Sequence, residues 1–153
     1  MPKPTGPAQE QLLSILQTAP NRLEYLTPND WALLVDRAKP VTFQKDEILI
    51  PKGRQIRMVY LLVKGTARIE ADFKVRIAQI GPGQISGEMA FLENSIASAT
   101  VTAEEEVQAY AIEWSTLGDL FELFPHLASR FYRSLAVILA RRLRDQIIGE
   151  AWK

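Results

Sequence analysis

Between Gly81 and Val101 the chain runs Gly-Pro-Gly-Gln-Ile-Ser-Gly-Glu-Met-Ala-Phe-Leu-Glu-Asn-Ser-Ile-Ala-Ser-Ala-Thr-Val, residue types that could hold a small anionic or hydroxyl-bearing ligand. Gly87 lets the backbone come close to a bound group, and a helix opening after it points its first N–H groups outward toward an anion. Glu88 would place its carboxylate in the same space, where it accepts hydrogen bonds from ribose-type hydroxyls. A plainer role fits Glu88 equally well, because an acid stabilises a helix start through the dipole. No lysine or arginine lies between Ile77 and Glu113. A cation for an anionic ligand would therefore have to come from Arg68, Arg76 or the last helix.

Most other chemistries lack their residues. There is no cysteine, so disulfides, thiolate metal sites and cysteine nucleophiles are excluded. His126 is the single histidine, after Phe124-Pro125, and reads as a surface or capping residue without metal partners. The sequence contains no GxxxxGKS, GxSxG or HExxH, and Glu104-Glu105-Glu106 reads as a solvated charge run in a turn. No catalytic residue and no metal site are expected. Eighteen basic and eighteen acidic side chains cancel, which gives no global drive toward nucleic acid or anionic membrane. Arg141-Arg142-Leu143-Arg144 reads as a solvated helix end whose cations suit the C-terminal dipole.

The elements that must position the glycine-rich segment follow from periodicity. Residues 1–8 carry three prolines and a glycine and form a flexible leader; residues 9–153 form one domain. Leu12, Leu13, Ile15 and Leu16 predict a short helix over Gln9–Thr18. Thr27 as N-cap, Pro28 at the first helical position and Asp30 in the first turn predict a second, which Pro40 stops. From about 41 to 113 the period shortens. Runs at 41–43, 47–50, 58–63, 67–70, 75–80, 98–103 and 107–112, punctuated by turn and charge signals, predict a small antiparallel sandwich, barrel or jelly roll. Helical spacing returns at Ser115–Leu123 and again from Leu127 to about Trp152. The fold class is mostly β with flanking helices: an antiparallel β-roll or jelly roll with N-terminal helices and a long C-terminal helix. Trp31, Phe91 and Trp114 read as core or interface aromatics.

The order Gly-Glu-Met-Ala followed by Ser-Ala-Thr-Val resembles the phosphate-binding cassette of the cyclic-nucleotide-binding family, which includes the catabolite activator regulators, the regulatory subunits of cyclic-AMP-dependent kinase and the cyclic-nucleotide-gated channels. The resemblance covers roughly Leu26 to Arg144. It implies that Glu88 meets the ribose 2′-hydroxyl, that amides at Gly87, Met89 and Ala90 meet the cyclic phosphate, and that Ser98 is the small hydroxyl residue of the cassette, with Ala99 beside it. The family's phosphate-pairing arginine falls on Ala97. The chain departs there, and also at Ile96 and Ser86, where a proline and an aromatic are common. A charge-assisted contact to phosphate contributes about 1.5–3 kcal/mol, so its loss lowers affinity by up to roughly 100-fold.

These readings lead to a non-catalytic regulatory or scaffolding module acting through protein–protein contacts, without a cofactor. The alternative is a sensor that binds cyclic AMP, cyclic GMP or a related anion through an atypical cassette. A third reading is a structural subunit that uses the leader and Trp152 as contact points. In the family the long C-terminal helix commonly pairs with its symmetry mate, and Phe131, Leu135, Ile138, Leu139, Leu143 and Ile147 form a stripe suited to a homodimer or a larger partner. The family's regulators carry a DNA-binding module after this helix. The sequence ends at Lys153 without one, so direct transcriptional regulation is not expected. No secretory signal or spanning segment is legible, and a cytoplasmic location is expected.

Overall fold

The computed structural model describes residues 14–16, 19 and 22–151. Ser14 to Leu16 is helical, inside the first predicted helix; the rest of that helix apart from this turn, the leader and Trp152 lie outside the described residues. Helix α1, Pro28–Asp36, starts on a reciprocal cap. The Thr27 hydroxyl accepts from the Asp30 amide at 3.1 Å, and the Asp30 carboxylate accepts from the Thr27 amide at 2.9 Å. The helix ends before Pro40, which instead lies inside a strand. That strand is at a sheet edge, where a residue without an N–H costs no ladder bond.

Eight strands follow: β1 Lys39–Phe43, β2 Ile48–Ile50, β3 Met58–Lys64, β4 Ala67–Glu70, β5 Arg76–Ile80, β6 Ile85–Ser86, β7 Thr100–Ala103 and β8 Val107–Glu113. They form two four-stranded antiparallel sheets, ordered β1-β8-β3-β6 and β2-β7-β4-β5. This is the expected β-roll. The two-residue strand β6 carries no periodic signal; its pairing of Ile85 and Ser86 with Leu61 and Tyr60 exists only in the fold.

The core has two parts, and β3 serves both. Val59, Leu61 and Val63 face the helices with Trp31, Leu34, Leu117, Leu120, Phe131 and Leu135, whereas Tyr60 and Leu62 face the inter-sheet cluster of Leu49, Ala67, Ile80, Val101 and Val107. A strand buried on both faces reads as a continuous apolar run rather than an alternation. Phe91, half-buried, stacks on Tyr132 and meets Trp114, Phe121 and Phe131 edge-on.

Helix α2 is Glu88–Glu93, α3 is Trp114–Leu123 and α4 is Pro125–Ala151. Pro125 separates α3 from α4 because the residue before a proline is pushed out of the helical region. At 27 residues α4 is about 40 Å long. Polar rungs fix its first half to the first turn of α1 and to the chain just before it. Arg130 donates to both oxygens of Asp30 at 2.6 and 2.9 Å, Tyr25's amide donates to Ser134 Oγ at 3.1 Å, and Arg133 lies 4.1 Å from the Tyr25 ring centre. Farther along, Arg141 donates to Glu24 at 2.9 Å.

Candidate functional site

A cavity of about 80 Å³ lies between the second sheet, α2 and α4. Its wall includes all seven residues singled out from sequence: Gly87, Glu88, Met89, Ala90, Ala97, Ser98 and Ala99. Ile50, Ile69, Ile85 and Val101 make the apolar remainder. Gly87 precedes α2 with φ at +89°, and a Cβ there would meet the Met58 carbonyl oxygen at 2.8 Å. The glycine is therefore required by the close passage past β3, independently of any ligand. Asn94 closes the short helix in the left-handed region, and Ser95's amide returns to the Ala90 carbonyl at 3.0 Å.

Ala97 is 7% exposed and belongs to the inter-sheet cluster. Its amide donates to Arg54's carbonyl at 3.0 Å, and its carbonyl accepts from Gly53's amide at 2.8 Å, which pins the segment to the loop after β2. The side chain at this position is a methyl, and no cation reaches the cavity from the cassette.

The cation comes from elsewhere. Arg142, on α4, lines the cavity and donates to Glu88 Oε1 at 3.2 Å. Glu88 is 5% exposed. Burial raises its carboxyl above the ordinary glutamate range, while the charge and hydrogen bond of Arg142 pull it back down. Of the three sources open to sequence reasoning, the last helix is the one that reaches the slot. Arg68 is held by Glu70 and Asp46, Arg76 by Glu104, and neither lines the cavity. The expectation of a solvated Arg141-Arg142-Leu143-Arg144 end is thereby corrected. Arg141 and Arg142 are both half-buried and bonded to acids of other elements, and Arg144 is exposed. Spacing along one helix carries no information on an acid 54 residues away, so Arg142 had no sequence signal of its own. Glu104, also placed in a solvated run, accepts from Arg76 and Gln79; Glu105 and Glu106 are exposed.

The stripe on α4 divides. Phe131, Leu135 and Ile138 are at most 4% exposed and are consumed by the protein's own core. Leu139 is half-buried, and Leu143, Ile147 and Ile148 are 59%, 57% and 48% exposed. His126 is exposed, and no group of three metal-ligating side chains occurs among the described residues. None of the described helices is long and apolar enough to cross a membrane. A wider groove of about 810 Å³ on the outer face of the second sheet holds charges already paired with one another, Lys52 with Asp72 and Arg68 with Glu70 and Asp46.

The profile of the family described as cyclic nucleotide-binding domain matches residues 40–123. The chain is 30% identical over 138 residues to cyclic GMP-binding protein C of Dictyostelium discoideum, covering 82% of this chain and 5% of that protein. It is 31% identical over 121 residues to glutaminase 2 of Bradyrhizobium diazoefficiens, covering 79% of this chain and 19% of the relative. The chain thus spans a small fraction of these relatives. Among solved structures, a cyclic nucleotide-binding domain from Methylobacillus flagellatus superposes with a TM-score of 0.75 at 20% identity, over 92% of this chain and 83% of that one. The β-roll, the glycine-rich cassette at Gly87–Val101 and these matches agree, and the chain belongs to the cyclic nucleotide-binding domain family.

Proposed function

We propose that this chain is a non-catalytic, cytoplasmic regulatory or scaffolding module that works through protein–protein contacts made by the far half of α4, either with a second copy or with a larger partner. The carrying observation is the state of the slot. Its acid is bonded to the chain's own Arg142, and about 80 Å³ is left, against roughly 300–1,000 Å³ for ordinary ligand pockets. The exposed Leu143, Ile147 and Ile148 supply the apolar contact that a partner helix needs. Light scattering on the wild type and on the Leu143→Lys, Ile147→Lys double variant tests this reading. The wild type is expected to associate and the variant to be monomeric. A strict monomer that binds no cellular protein would sink it.

A second reading, a cyclic nucleotide sensor, is favoured by Glu88, Ser98 and Arg142 lining the same cavity. The name of the Dictyostelium relative points the same way. Calorimetry with cyclic AMP, cyclic GMP and cyclic dinucleotides separates the two. Micromolar binding abolished by Glu88→Ala supports the sensor, and no heat at millimolar ligand removes it.

A further inference from the structure

We infer that the groove of about 810 Å³ on the outer face of the second sheet is a binding site for a neutral, hydroxyl-rich ring, a saccharide. Its volume falls within the roughly 300–1,000 Å³ of ordinary ligand pockets. It shares no wall residue with the slot beside α2.

Strand alternation builds the floor. On β7, Val101 and Ala103 face the inter-sheet core, which leaves Thr100 and Thr102 on the outer face. On β4, Ala67 and Ile69 face in, and Arg68 and Glu70 face out. Thr102 lies directly opposite Arg68 in the register of the two strands. Thr102 and Glu70 are only 5% and 9% exposed, yet both keep hydrogen-bonding capacity in reserve. The Thr102 hydroxyl has no partner among the described residues. Glu70 accepts from Arg68 Nε through one carboxylate oxygen, and its other oxygen takes no hydrogen bond among them. Arg68 makes that single hydrogen bond and leaves further donors free, with Nη2 3.5 Å from Asp46. Buried polar groups left open by the fold call for a partner from outside it.

Charge selects the class of that partner. Three acids, Asp46, Glu70 and Asp72, and two cations, Lys52 and Arg68, meet in the groove as pairs. An anionic ligand would lie against the acids and a cationic one against Lys52 and Arg68. A neutral ligand that both donates and accepts meets neither penalty. The rim supplies the shape. Phe73, in the turn between β4 and β5, is 99% exposed and held at φ +62°, a left-handed conformation unfavourable for a bulky side chain. Its bare ring sets a flat apolar surface beside the polar floor. A sugar ring carries the complement: a face of C–H groups, and vicinal hydroxyls at its edge that donate to Glu70 and accept from Arg68. An extended peptide pairs its backbone at a sheet edge, whereas this groove offers side chains on a sheet face.

Amide NMR titrations of the full chain with glucose, galactose, mannose, N-acetylglucosamine, maltose and cellobiose test the assignment. At least one of these sugars is expected to shift amides 46–48, 68–73 and 100–102, with a dissociation constant of millimolar order or tighter. Phe73→Ala, which removes only an exposed ring, is expected to weaken that sugar about tenfold. Thr102→Val is expected to weaken it about fivefold. Glu88→Gln, in the slot, is expected to leave its affinity unchanged. Absence of any shift with all of these sugars at about 50 mM overturns the proposal, as does binding that Phe73→Ala leaves intact. Shifts centred on amides 87–90 and 97–99 and lost in Glu88→Gln overturn it in favour of the slot. A neutral serine-rich tripeptide that binds the same amides more tightly than every sugar overturns it in favour of a peptide groove. Phe73→Ala keeps the test decisive should Thr102→Val fold poorly, because that ring takes no part in the core.

Discussion

Asp30 and Glu88 are both buried carboxylates, 1% and 5% exposed, and each meets an arginine of α4, yet their titrations move in opposite directions. Asp30 takes two hydrogen bonds from the Arg130 fork and another from the Thr27 amide, and the Arg130 bond leads in holding its carboxyl below the ordinary range. Glu88 receives one guanidinium contact at 3.2 Å together with a backbone hydrogen bond, and burial still dominates. A bidentate pair more than offsets desolvation; a single longer contact does not, although each acid also has a backbone donor. The first pair ties the near half of α4 to the first turn of α1. The second is under-compensated, and a bond of that kind can be exchanged for another partner.

The largest effect is expected from breaking the well-compensated side. Asp30→Ala removes the reciprocal cap of α1 and the anchor of Arg130 together and should lower unfolding free energy by about 3 kcal/mol, measured by chemical denaturation. A loss under about 1 kcal/mol would mean that the near half of α4 does not depend on this contact.

Acid sharpens the contrast. Asp30's folded carboxyl is depressed, so its stabilisation is complete above the unfolded value of about 3.9 and disappears as pH falls through the lower folded value. Denaturation midpoints of the wild type should therefore fall more steeply below roughly pH 4 than those of Asp30→Asn. Glu88's carboxyl is raised, so its contribution is full below about 4.3 and is lost as pH rises through the folded value. Glu88→Gln should accordingly show a flatter profile than the wild type on the neutral side of about pH 4.3. Parallel profiles would remove the distinction.

The smallest effect on stability belongs to the exposed apolar end. Leu143→Lys and Ile147→Lys should each shift unfolding of the monomer by less than about 0.5 kcal/mol while changing association. A large destabilisation at high dilution would show that these side chains serve the fold.

The fold was legible because its signals are local. Thr27, Pro28 and Asp30 fix the start of α1 within four residues, and β4, β5, β7 and β8 are marked by β-rich runs between turns. The cassette was legible for the same reason, and its seven residues meet at one cavity. What escaped depends on distance in the chain. Strand β6 is two residues long and exists through its pairing with β3. Arg142 sits in a run with the composition of a solvated helix end, and only the course of α4 across the β-roll brings it to Glu88. The apolar stripe from Phe131 to Ile147 was correct as a periodicity, but period alone does not say how much of a face the chain's own core takes.

A double-mutant cycle on unfolding at pH 7, with Glu88→Gln, Arg142→Met and the two combined, tests the tie between slot and helix most directly. Arg142→Met alone strands a buried carboxylate and should cost about 2–3 kcal/mol, whereas Glu88→Gln should cost less than about 1 kcal/mol because Arg142 can turn to water. The combined variant should resemble Glu88→Gln, giving a coupling of about 2 kcal/mol. Additivity within about 0.5 kcal/mol would contradict the account and leave the slot and α4 energetically separate.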